Sequence, residues 1–401
     1  MNDPSAGIVQ GDLQDQKIAG HHSSLRVARM HTLTLRSVRI QSGFTFDRLE
    51  VAYQTLGKLS VRRDNAILIC HALSGTAQVA GIQPDTGRPG WWDFHVGPGK
   101  AIDTTKFFVI CSNVLGGCDG TTGPISLRPD TAAPFGMEFP PITIRDMVTV
   151  QAKLVEHLGI SQLLAVIGGS MGGMQALAWA VNLPESVRVC IPIATCASHN
   201  AMQIAFNEIG RRAIVTDPNW NNGSYSAERR PKHGLAVARM VGHVTYLSEY
   251  AMTQKFGRTL QARIKPAEAE AALFTVESYL HHQGESFVSR FDPNSYLYLT
   301  RALDQFDLFD GQPPEEVLRR VKARFLVISF ASDWLYPPAQ SRELVRVLKR
   351  ARVAATYINL ETLYGHDSFL IENPDFDNVV RHYVENEYRH GRTGENCGTA
   401  G

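Results

Sequence analysis

The chain has 401 residues, of which 44% are hydrophobic and 20% are charged, a composition typical of a globular protein with a large core. Its 40 lysines and arginines against 39 aspartates and glutamates leave a formal charge of +1. That charge is too small to attract nucleic acid or an anionic membrane surface, so small molecules are the expected partners.

The six cysteines form no Cys-x-x-Cys pair, and four of them lie in or beside apolar runs. Such cysteines behave as small buried residues in a reducing compartment. The first 25 residues are polar and lack the basic and apolar regions of a secretory signal, so the cytoplasm is the expected location. The stretch 163–181 carries no charge, but the glycines and Gln175 in its middle favour a buried strand, turn and helix over a membrane span.

Short apolar runs alternate with longer helical segments from about residue 30 onward. The runs are about five or six residues long and rich in β-branched side chains, which is typical of parallel strands that are buried on both faces. They lie at residues 66–70, 107–112, 163–167, 189–193, 325–329 and 356–360. Residues 143–158 have apolar positions at helical spacing. The pattern predicts an α/β fold with a mostly parallel sheet.

Residues 198–310 differ from the rest of the chain because their apolar positions recur at helical spacing, without a convincing buried strand. The helical segments are 204–215, 234–247, 267–282 and 294–306. We therefore expect residues 30–197 and 311–386 to form the α/β core and residues 198–310 to form an inserted helical lid. The remaining residues, 1–29 and 387–401, are expected to be flexible tails.

The segment 163–177 runs from an apolar strand through Gly-x-Ser-x-Gly directly into a helix. This context is typical of a nucleophile elbow, in which Ser170 occupies a strained turn between glycines. The backbone N–H of Met171, at the start of the helix, would donate a hydrogen bond to an oxyanion. A Gly-x-Ser-x-Gly sequence also occurs in ordinary glycine turns, but the flanking strand and helix favour the nucleophile.

A serine hydroxyl needs a base to become a nucleophile, and in elbows of this type the acid and the histidine follow the serine along the chain. Asp333 lies a few residues after the predicted strand 325–329, at its carboxyl end, and His366 lies in the loop after the next strand. We predict that His366 is the base and that Asp333 orients it, with Asp367 as a competing carboxylate. The loop after an early strand makes the Leu73 backbone N–H the second candidate oxyanion donor, and His71 in the same loop is expected to be structural.

Longer motifs surround these residues. They include HALSG at 71–75, GWWDFHVGPGKAIDT at 90–104, FVICSNVLGGCDGTTGP at 108–124, IGGSMGGMQALAWA at 167–180, GLAVARMVGHVTYLS at 234–248, SDWLYPP at 332–338 and YGHDSFL at 364–370. In these motifs the chain resembles the homoserine O-acetyltransferase family of methionine biosynthesis. The resemblance covers most of residues 30–385, and several of the motifs are absent from general esterases.

The resemblance implies an α/β-hydrolase fold with a helical lid, a homodimer formed through that lid, and a ping-pong reaction without a cofactor. Ser170 would take an acyl group from an acyl-CoA co-substrate, and the hydroxyl of L-homoserine, activated by His366, would accept it. The substrate-binding arginine of the family falls on Arg239, and its substrate-binding aspartate falls on Asp367. A guanidinium suits the carboxylate of an amino acid, and a carboxylate suits its ammonium group. A salt bridge on a lid helix is the alternative for Arg239.

Leu335 bears on the identity of the acyl group. Succinyl-transferring relatives resemble one another in an arginine two residues after the triad aspartate, whereas this chain has Leu335 at that position. An apolar residue offers no partner to a succinyl carboxylate, so the resemblance favours acetyl-CoA as the donor. Residues 77–80 and 123–129 depart from the family pattern near the expected mouth of the site.

Other functions would use the same residues differently. A related transferase would use succinyl-CoA as donor or serine as acceptor. A carboxylesterase or thioesterase would use the same triad with water as acceptor, and it would not require Arg239 or Asp367. An inactive α/β-hydrolase domain that serves as a binding module is disfavoured, because a serine, an acid and a histidine all occur at suitable positions.

Overall fold

The computed structural model describes residues 27–84, 86–261 and 273–394, and extended strands make up its centre. The strands are β1 (Met30–Arg39), β2 (Thr45–Leu56), β3 (Ala66–Cys70), β4 (Val96–Gly97), β5 (Ile102–Asp103), β6 (Phe108–Ser112), β7 (Leu163–Gly169), β8 (Val187–Ile193), β9 (Arg324–Phe330) and β10 (Ala355–Leu360). Eight of them form one sheet in the order β1-β2-β6-β3-β7-β8-β9-β10, while β4 and β5 form a small parallel pair. Pairing is antiparallel only between β1, β2 and β6, and the other neighbours in the large sheet are parallel.

The predicted α/β class and the six predicted strands are confirmed, with strand ends that differ by at most two residues. Strands β1 and β2 were not predicted from the sequence. Strand β1 lies at the edge of the sheet with most of its side chains exposed, and β2, between β1 and β6, mixes buried with exposed residues, so neither shows the continuous apolar run of a central strand.

Both faces of the sheet are covered, as β3 illustrates. All five of its residues are buried. Leu68 belongs to a core cluster that contains Leu154 and Leu177, whereas Ile67 and Ile69 point into a second cluster on the opposite face. Alternate side chains of one strand therefore serve two cores, which is why this segment reads as a continuous apolar run.

The helices are α1 (Ile144–His157), α2 (Met171–Asn182), α3 (Ala201–Thr216), α4 (Lys232–Tyr246), α5 (Glu249–Phe256), α6 (Thr275–Val288), α7 (Pro293–Asp304), α8 (Pro314–Leu318), α9 (Pro338–Arg350) and α10 (Pro374–Gly394). The predicted helix 143–158 is confirmed, and Thr143 and Asp146 form a capping box at its start. The uncharged stretch 163–181 forms β7, the turn and most of α2. No helix within the described ranges is both long enough and apolar enough to cross a membrane.

The segment 198–310 contains helices α3 to α7 and lies between two strands, β8 and β9, that pair in parallel. Helix α4 packs against both α3 and α6. Three of the four helices predicted in this segment are present with shifted ends. Of the fourth, predicted at 267–282, residues 267–272 lie outside the described residues, and α6 covers the remainder.

The C-terminal boundary predicted at residue 386 falls inside α10, which continues to Gly394. Glu387 forms an ion pair with Arg324 at 2.9 Å, and the Tyr388 ring packs edge-on against Phe107 with a centroid separation of 5.5 Å. These contacts with the sheet explain why residues 387–394 continue the helix where a flexible tail was predicted. Residues 1–26 and 395–401 of the predicted tails lie outside the described residues.

Candidate active site

Ser170 occupies the sharp turn between β7 and α2, with φ 56° and ψ −122°. A positive φ is unfavourable for a residue that carries a Cβ, so the surrounding chain must hold this turn in place. The flanking glycines allow the start of α2 to approach β3 and β7 closely. A Cβ on Gly172 would lie 2.0 Å from the Cys70 carbonyl oxygen, and one on Gly168 would lie 2.3 Å from the Gly172 carbonyl carbon. The turn thus places Ser170 at the end of β7, directly before the first residue of α2.

Neighbouring strands hold the turn. The Ser170 N–H donates to the Ile193 carbonyl at 3.0 Å, and the Thr195 hydroxyl donates to the Ser170 carbonyl at 2.9 Å. Met171 begins α2, where the first N–H groups of a helix have no partner within the helix. The predicted oxyanion donor Met171 therefore lies beside the nucleophile candidate.

The loop that carries the other oxyanion candidate, Leu73, follows β3 and is tied to α2. The Gln175 side chain on α2 donates to the His71 carbonyl at 3.2 Å. His71 Nε2 accepts from the Val114 N–H at 3.1 Å, and its Nδ1 lies 2.7 Å from the Ala72 carbonyl. Burial lowers the pKa of His71 to about 4, so the ring is neutral and can accept and donate in this arrangement. These contacts support the structural interpretation of His71.

His366 and Asp333 meet although 33 residues separate them in the chain. His366 Nδ1 lies 2.8 Å from Asp333 Oδ2, and both side chains are buried. The second carboxylate oxygen of Asp333 accepts the backbone N–H groups of Leu335 at 3.0 Å and Tyr336 at 2.8 Å. The Gly365 N–H bonds to the Ser332 hydroxyl at 2.9 Å, which joins the loop of His366 to the loop of Asp333.

Tyr336 is a site residue that sequence reasoning missed. Its ring stacks on His366 with centroids 4.9 Å apart and an interplanar angle of 26°. The Ser170 side chain lies close enough to the Tyr336 hydroxyl to lower its pKa, against the larger effect of burial. The available signal was the motif SDWLYPP, in which Tyr336 follows the triad aspartate by three residues.

Arg239 lies on α4, is 8% exposed, and points toward the loop after β3. Its Nη1 is 3.4 Å from the Ser74 hydroxyl, and its guanidinium lies over the rings of Phe287 at 4.7 Å and Tyr246 at 5.5 Å. Its Nε has no hydrogen-bond partner, and within the described residues it forms no ion pair with a carboxylate. A buried guanidinium without a carboxylate partner suits an anionic ligand better than the alternative of a structural salt bridge.

Arg290 is a second cation at the same loop, and sequence reasoning did not single it out. Its Nη1 donates to the Ser74 carbonyl at 3.1 Å, and its guanidinium lies 5.2 Å from the centre of the Phe287 ring. Partial removal of water from its guanidinium and the nearby Arg239 cation lower the pKa of Arg290 to about 10, although the residue as a whole is exposed. The loop after β3 therefore faces two guanidinium groups.

Asp367 is next to His366 in a short 3-10 helix, Gly365–Leu370. Burial raises the pKa of Asp367, while the positive charge of Arg239 acts in the opposite direction. The two predicted acceptor-binding residues, Arg239 and Asp367, thus interact electrostatically at one site. An amino acid with a carboxylate and an ammonium group complements such a pair.

Both polar groups of the Leu335 backbone form hydrogen bonds. Its N–H donates to Asp333, and its carbonyl accepts from Gln203 Nε2 of α3 at 2.8 Å. Its half-buried side chain packs against the larger core cluster. A change of the side chain at this position therefore leaves the backbone contacts to Asp333 available.

A parallel sheet with a strained serine at a strand–helix turn, and a buried histidine–aspartate pair on the loops after later strands of the same sheet, defines an enzyme of the α/β-hydrolase class. Residues 65–369 match the family model of the alpha/beta hydrolase fold. The homoserine O-acetyltransferase of Methanohalobium evestigatum is 54% identical over 349 residues, which cover 87% of this chain and 71% of that protein. The chain belongs to the homoserine O-acetyltransferase family.

Solved structures agree with this assignment. The crystal structure of homoserine O-acetyltransferase from Bacillus anthracis is similar with a TM-score of 0.84 and 30% identity, over 90% of this chain and 98% of that one. Esterase E22 is similar with a TM-score of 0.82 and 31% identity, over 89% of this chain and all of that one. The same architecture thus carries both transferase and esterase activities in related proteins.

Proposed function

We propose that this chain transfers the acetyl group of acetyl-CoA to the hydroxyl of L-homoserine, through an acetyl ester on Ser170. The observation that carries the proposal is Arg239, a buried guanidinium beside the loop of the oxyanion candidate Leu73. An amino-acid acceptor brings a carboxylate that pairs with this group. Water as an acceptor would bring no such partner.

In the first half-reaction, His366 Nε2 takes the proton of the Ser170 hydroxyl, and Oγ forms a bond to the thioester carbonyl carbon. The N–H groups of Leu73 and Met171 donate to the carbonyl oxygen as it becomes negative. Asp333 holds the Nδ1–H of the imidazole and stabilises its charged form. The carbon–sulfur bond then breaks, and the CoA thiolate leaves with the proton from His366.

In the second half-reaction, the hydroxyl of homoserine gives its proton to His366, and its oxygen attacks the acetyl carbon. The ester bond to Ser170 breaks, and Oγ recovers the proton from His366. Arg239 binds the acceptor carboxylate and Asp367 binds its ammonium group. These steps use side chains of the chain and the two substrates, with acetyl-CoA as a co-substrate and without a cofactor.

The acetyl specificity within this proposal rests on Leu335. A succinyl group would bring a second carboxylate into the acyl site, and a leucine side chain offers it no hydrogen bond or charge. Burial of an unpaired carboxylate is costly, whereas the methyl group of acetyl is compatible with an apolar neighbour.

We further propose a homodimer formed through the helices of segment 198–310, with the cytoplasm as its location. Large apolar side chains are exposed on α3 and α4, among them Met202, Ile209 and Val237. Exposed apolar groups on neighbouring helices favour association with a partner. Light scattering of Ile209→Asp should report monomers where the unchanged chain forms dimers, and a monomeric unchanged chain would contradict this part of the proposal. The five free cysteines of the described residues, four of them buried, are compatible with a reducing compartment.

A second candidate is an esterase or thioesterase, which the similarity to esterase E22 favours. The test measures CoA release from acetyl-CoA and from succinyl-CoA, each with homoserine, with serine and without an acceptor. The proposal expects fast, sustained release only with acetyl-CoA and homoserine together. Sustained release without an acceptor would assign a hydrolase, fast release with succinyl-CoA or serine would change the substrate, and no release at all would indicate an inactive domain.

A further inference from the structure

A second buried histidine–aspartate pair, His199 and Asp304, contacts the site through Tyr336. His199 Nδ1 lies 3.0 Å from Asp304 Oδ1, and His199 Nε2 lies 2.6 Å from the Tyr336 hydroxyl. The side chains of His199 and Asp304 are 2% and 8% exposed. None of the proposed chemical steps uses this pair, so its contact with Tyr336 calls for an explanation.

Asp304 is held as a carboxylate by its neighbours. The Asn207 amide donates to it at 2.7 Å, and Arg211 forms an ion pair with it at 2.6 Å. Burial alone would raise the pKa of Asp304, but the hydrogen bonds from His199 and Asn207 and the Arg211 charge lower it. An ionised carboxylate accepts the Nδ1–H of His199 and thereby fixes the ring orientation, leaving Nε2 directed at Tyr336.

The Tyr336 hydroxyl lies 2.6 Å from His199 Nε2, and the Ser170 side chain is near enough to it to affect its pKa. Burial raises the pKa of Tyr336 well above its ordinary value, so the hydroxyl keeps its proton at neutral pH. A neutral hydroxyl has one proton for one neighbour and a lone pair for the other, so it can hydrogen-bond to both at once. His199 therefore fixes the direction in which Tyr336 meets Ser170.

Tyr336 also contacts the other two members of the proposed triad. Its ring stacks on His366, and its backbone N–H donates to Asp333 at 2.8 Å. Tyr336 thus contacts His366 and Asp333 and lies near Ser170, and its hydroxyl is held by His199 of segment 198–310.

From this geometry we propose that Tyr336 is a positioning residue for Ser170 and that the His199–Asp304 pair acts on catalysis through the Tyr336 hydroxyl. The inference rests on the proposed role of Ser170 as nucleophile. Its consequence is that the effects of the Tyr336 hydroxyl and of His199 are coupled, because each requires the other.

The experiment is a double-mutant cycle with Tyr336→Phe and His199→Gln, measured by the burst of CoA release from acetyl-CoA without an acceptor. Tyr336→Phe keeps the ring on His366 and removes only the hydroxyl. We expect each single variant to slow the burst by about fivefold to tenfold, the effect of one lost hydrogen bond, with little change in KM for acetyl-CoA. The double variant should be no slower than the slower single variant.

Tyr298→Phe serves as the matched control, since its hydroxyl donates to the Met137 carbonyl at 3.0 Å, and it takes no part in the proposed steps. It should lower the melting temperature without slowing the burst. If His199→Gln does not fold, the comparison of Tyr336→Phe with this control decides whether the inference holds.

Two results would overturn the inference. One is a burst rate of Tyr336→Phe within twofold of that of the unchanged chain, and the other is a double variant whose loss of burst rate is the product of the two single losses. Ser170→Ala, run in parallel, separates the two proposals, because a burst in that variant would refute the acyl-Ser170 mechanism itself.

Discussion

The carboxylate that touches the His366 imidazole belongs to Asp333, whose Oδ2 lies 2.8 Å from Nδ1, although Asp367 is the nearer residue in sequence. Two backbone N–H groups hold the other oxygen of Asp333. Asp367 instead interacts electrostatically with Arg239 as well as with His366. The two carboxylates therefore have different surroundings, and their substitution should have different kinetic consequences.

Asp333→Asn should slow the formation of the acyl-enzyme itself by about 10⁴-fold, because an amide at this position no longer accepts the Nδ1–H and favours the wrong tautomer of His366. Asp367→Asn should instead raise KM for homoserine more than it slows the burst of CoA release. Stopped-flow measurement of the burst, combined with steady-state kinetics, separates the two effects. The reverse pattern would exchange the proposed roles of these residues.

Arg239→Met removes the guanidinium while it keeps much of the length of the side chain. The acceptor carboxylate then loses a charged hydrogen bond, so KM for homoserine should rise by about 10- to 100-fold. The burst with acetyl-CoA alone should change little, because the donor half-reaction does not use this contact. Arg212→Met, at an exposed position of α3, is the control and should leave both quantities unchanged. An unchanged KM in Arg239→Met would remove this residue from the acceptor site.

Leu335→Arg should create a partner for a succinyl carboxylate and bury an uncompensated charge beside an acetyl group. A change of about 2–3 kcal/mol, the scale of a charged hydrogen bond, would shift the succinyl-to-acetyl ratio of kcat/KM by about 30- to 150-fold. Both donors are compared at fixed homoserine, with Leu335→Met as a control of similar volume and no charge. A constant ratio in Leu335→Arg would show that this side chain does not contact the acyl group, and an unchanged chain that prefers succinyl-CoA would contradict the choice of donor.

Buried neutral histidines should make the fold less stable in acid. Burial lowers the pKa of His71 to about 4, below its ordinary value of 6.5, so the unfolded chain binds the proton more readily than the folded chain. The free energy of unfolding therefore has its full value with respect to His71 above pH 6.5. As the pH falls toward 4, this residue lowers the free energy of unfolding by about 3 kcal/mol. His243 has a pKa lowered in the same direction, by burial and by Arg239.

Urea unfolding of the unchanged chain and of His71→Gln tests this expectation. The measurements run at several pH values between about 7 and 4, an interval that spans the histidine pKa values of the unfolded and folded chains. The variant should lose less stability over the interval than the unchanged chain. Parallel curves for the two proteins would mean that His71 does not titrate between the folded and unfolded states in this range.

The parts of the site that could be predicted from the sequence depend on local patterns. The turn at Ser170 is defined by a strand, two glycines and a helix within 15 consecutive residues, 163–177. Asp333 and His366 follow successive parallel strands, whose carboxyl ends meet at one edge of a sheet. Order along the chain was therefore sufficient to select them.

The contacts of Tyr336 could not be predicted in this way. His199 and Tyr336 are 137 residues apart, and the link between them crosses from segment 198–310 to the loop after β9. No periodicity or short motif encodes a contact of that kind, because it depends on how the helices dock on the sheet. Strands β1 and β2 were missed for a different reason, since exposed polar side chains interrupt the apolar run that marks the central strands.

The account depends most directly on the acetylation of Ser170. Mass spectrometry of the chain after incubation with acetyl-CoA, without an acceptor, should find one added acetyl group on the peptide that contains Ser170. Addition of homoserine should remove that group, and Ser170→Ala should never acquire it and should lose about 10⁴-fold in kcat while it remains folded. An unmodified Ser170 peptide under conditions of rapid turnover, or a Ser170→Ala variant that keeps more than about a tenth of the activity, would contradict the acyl-enzyme mechanism.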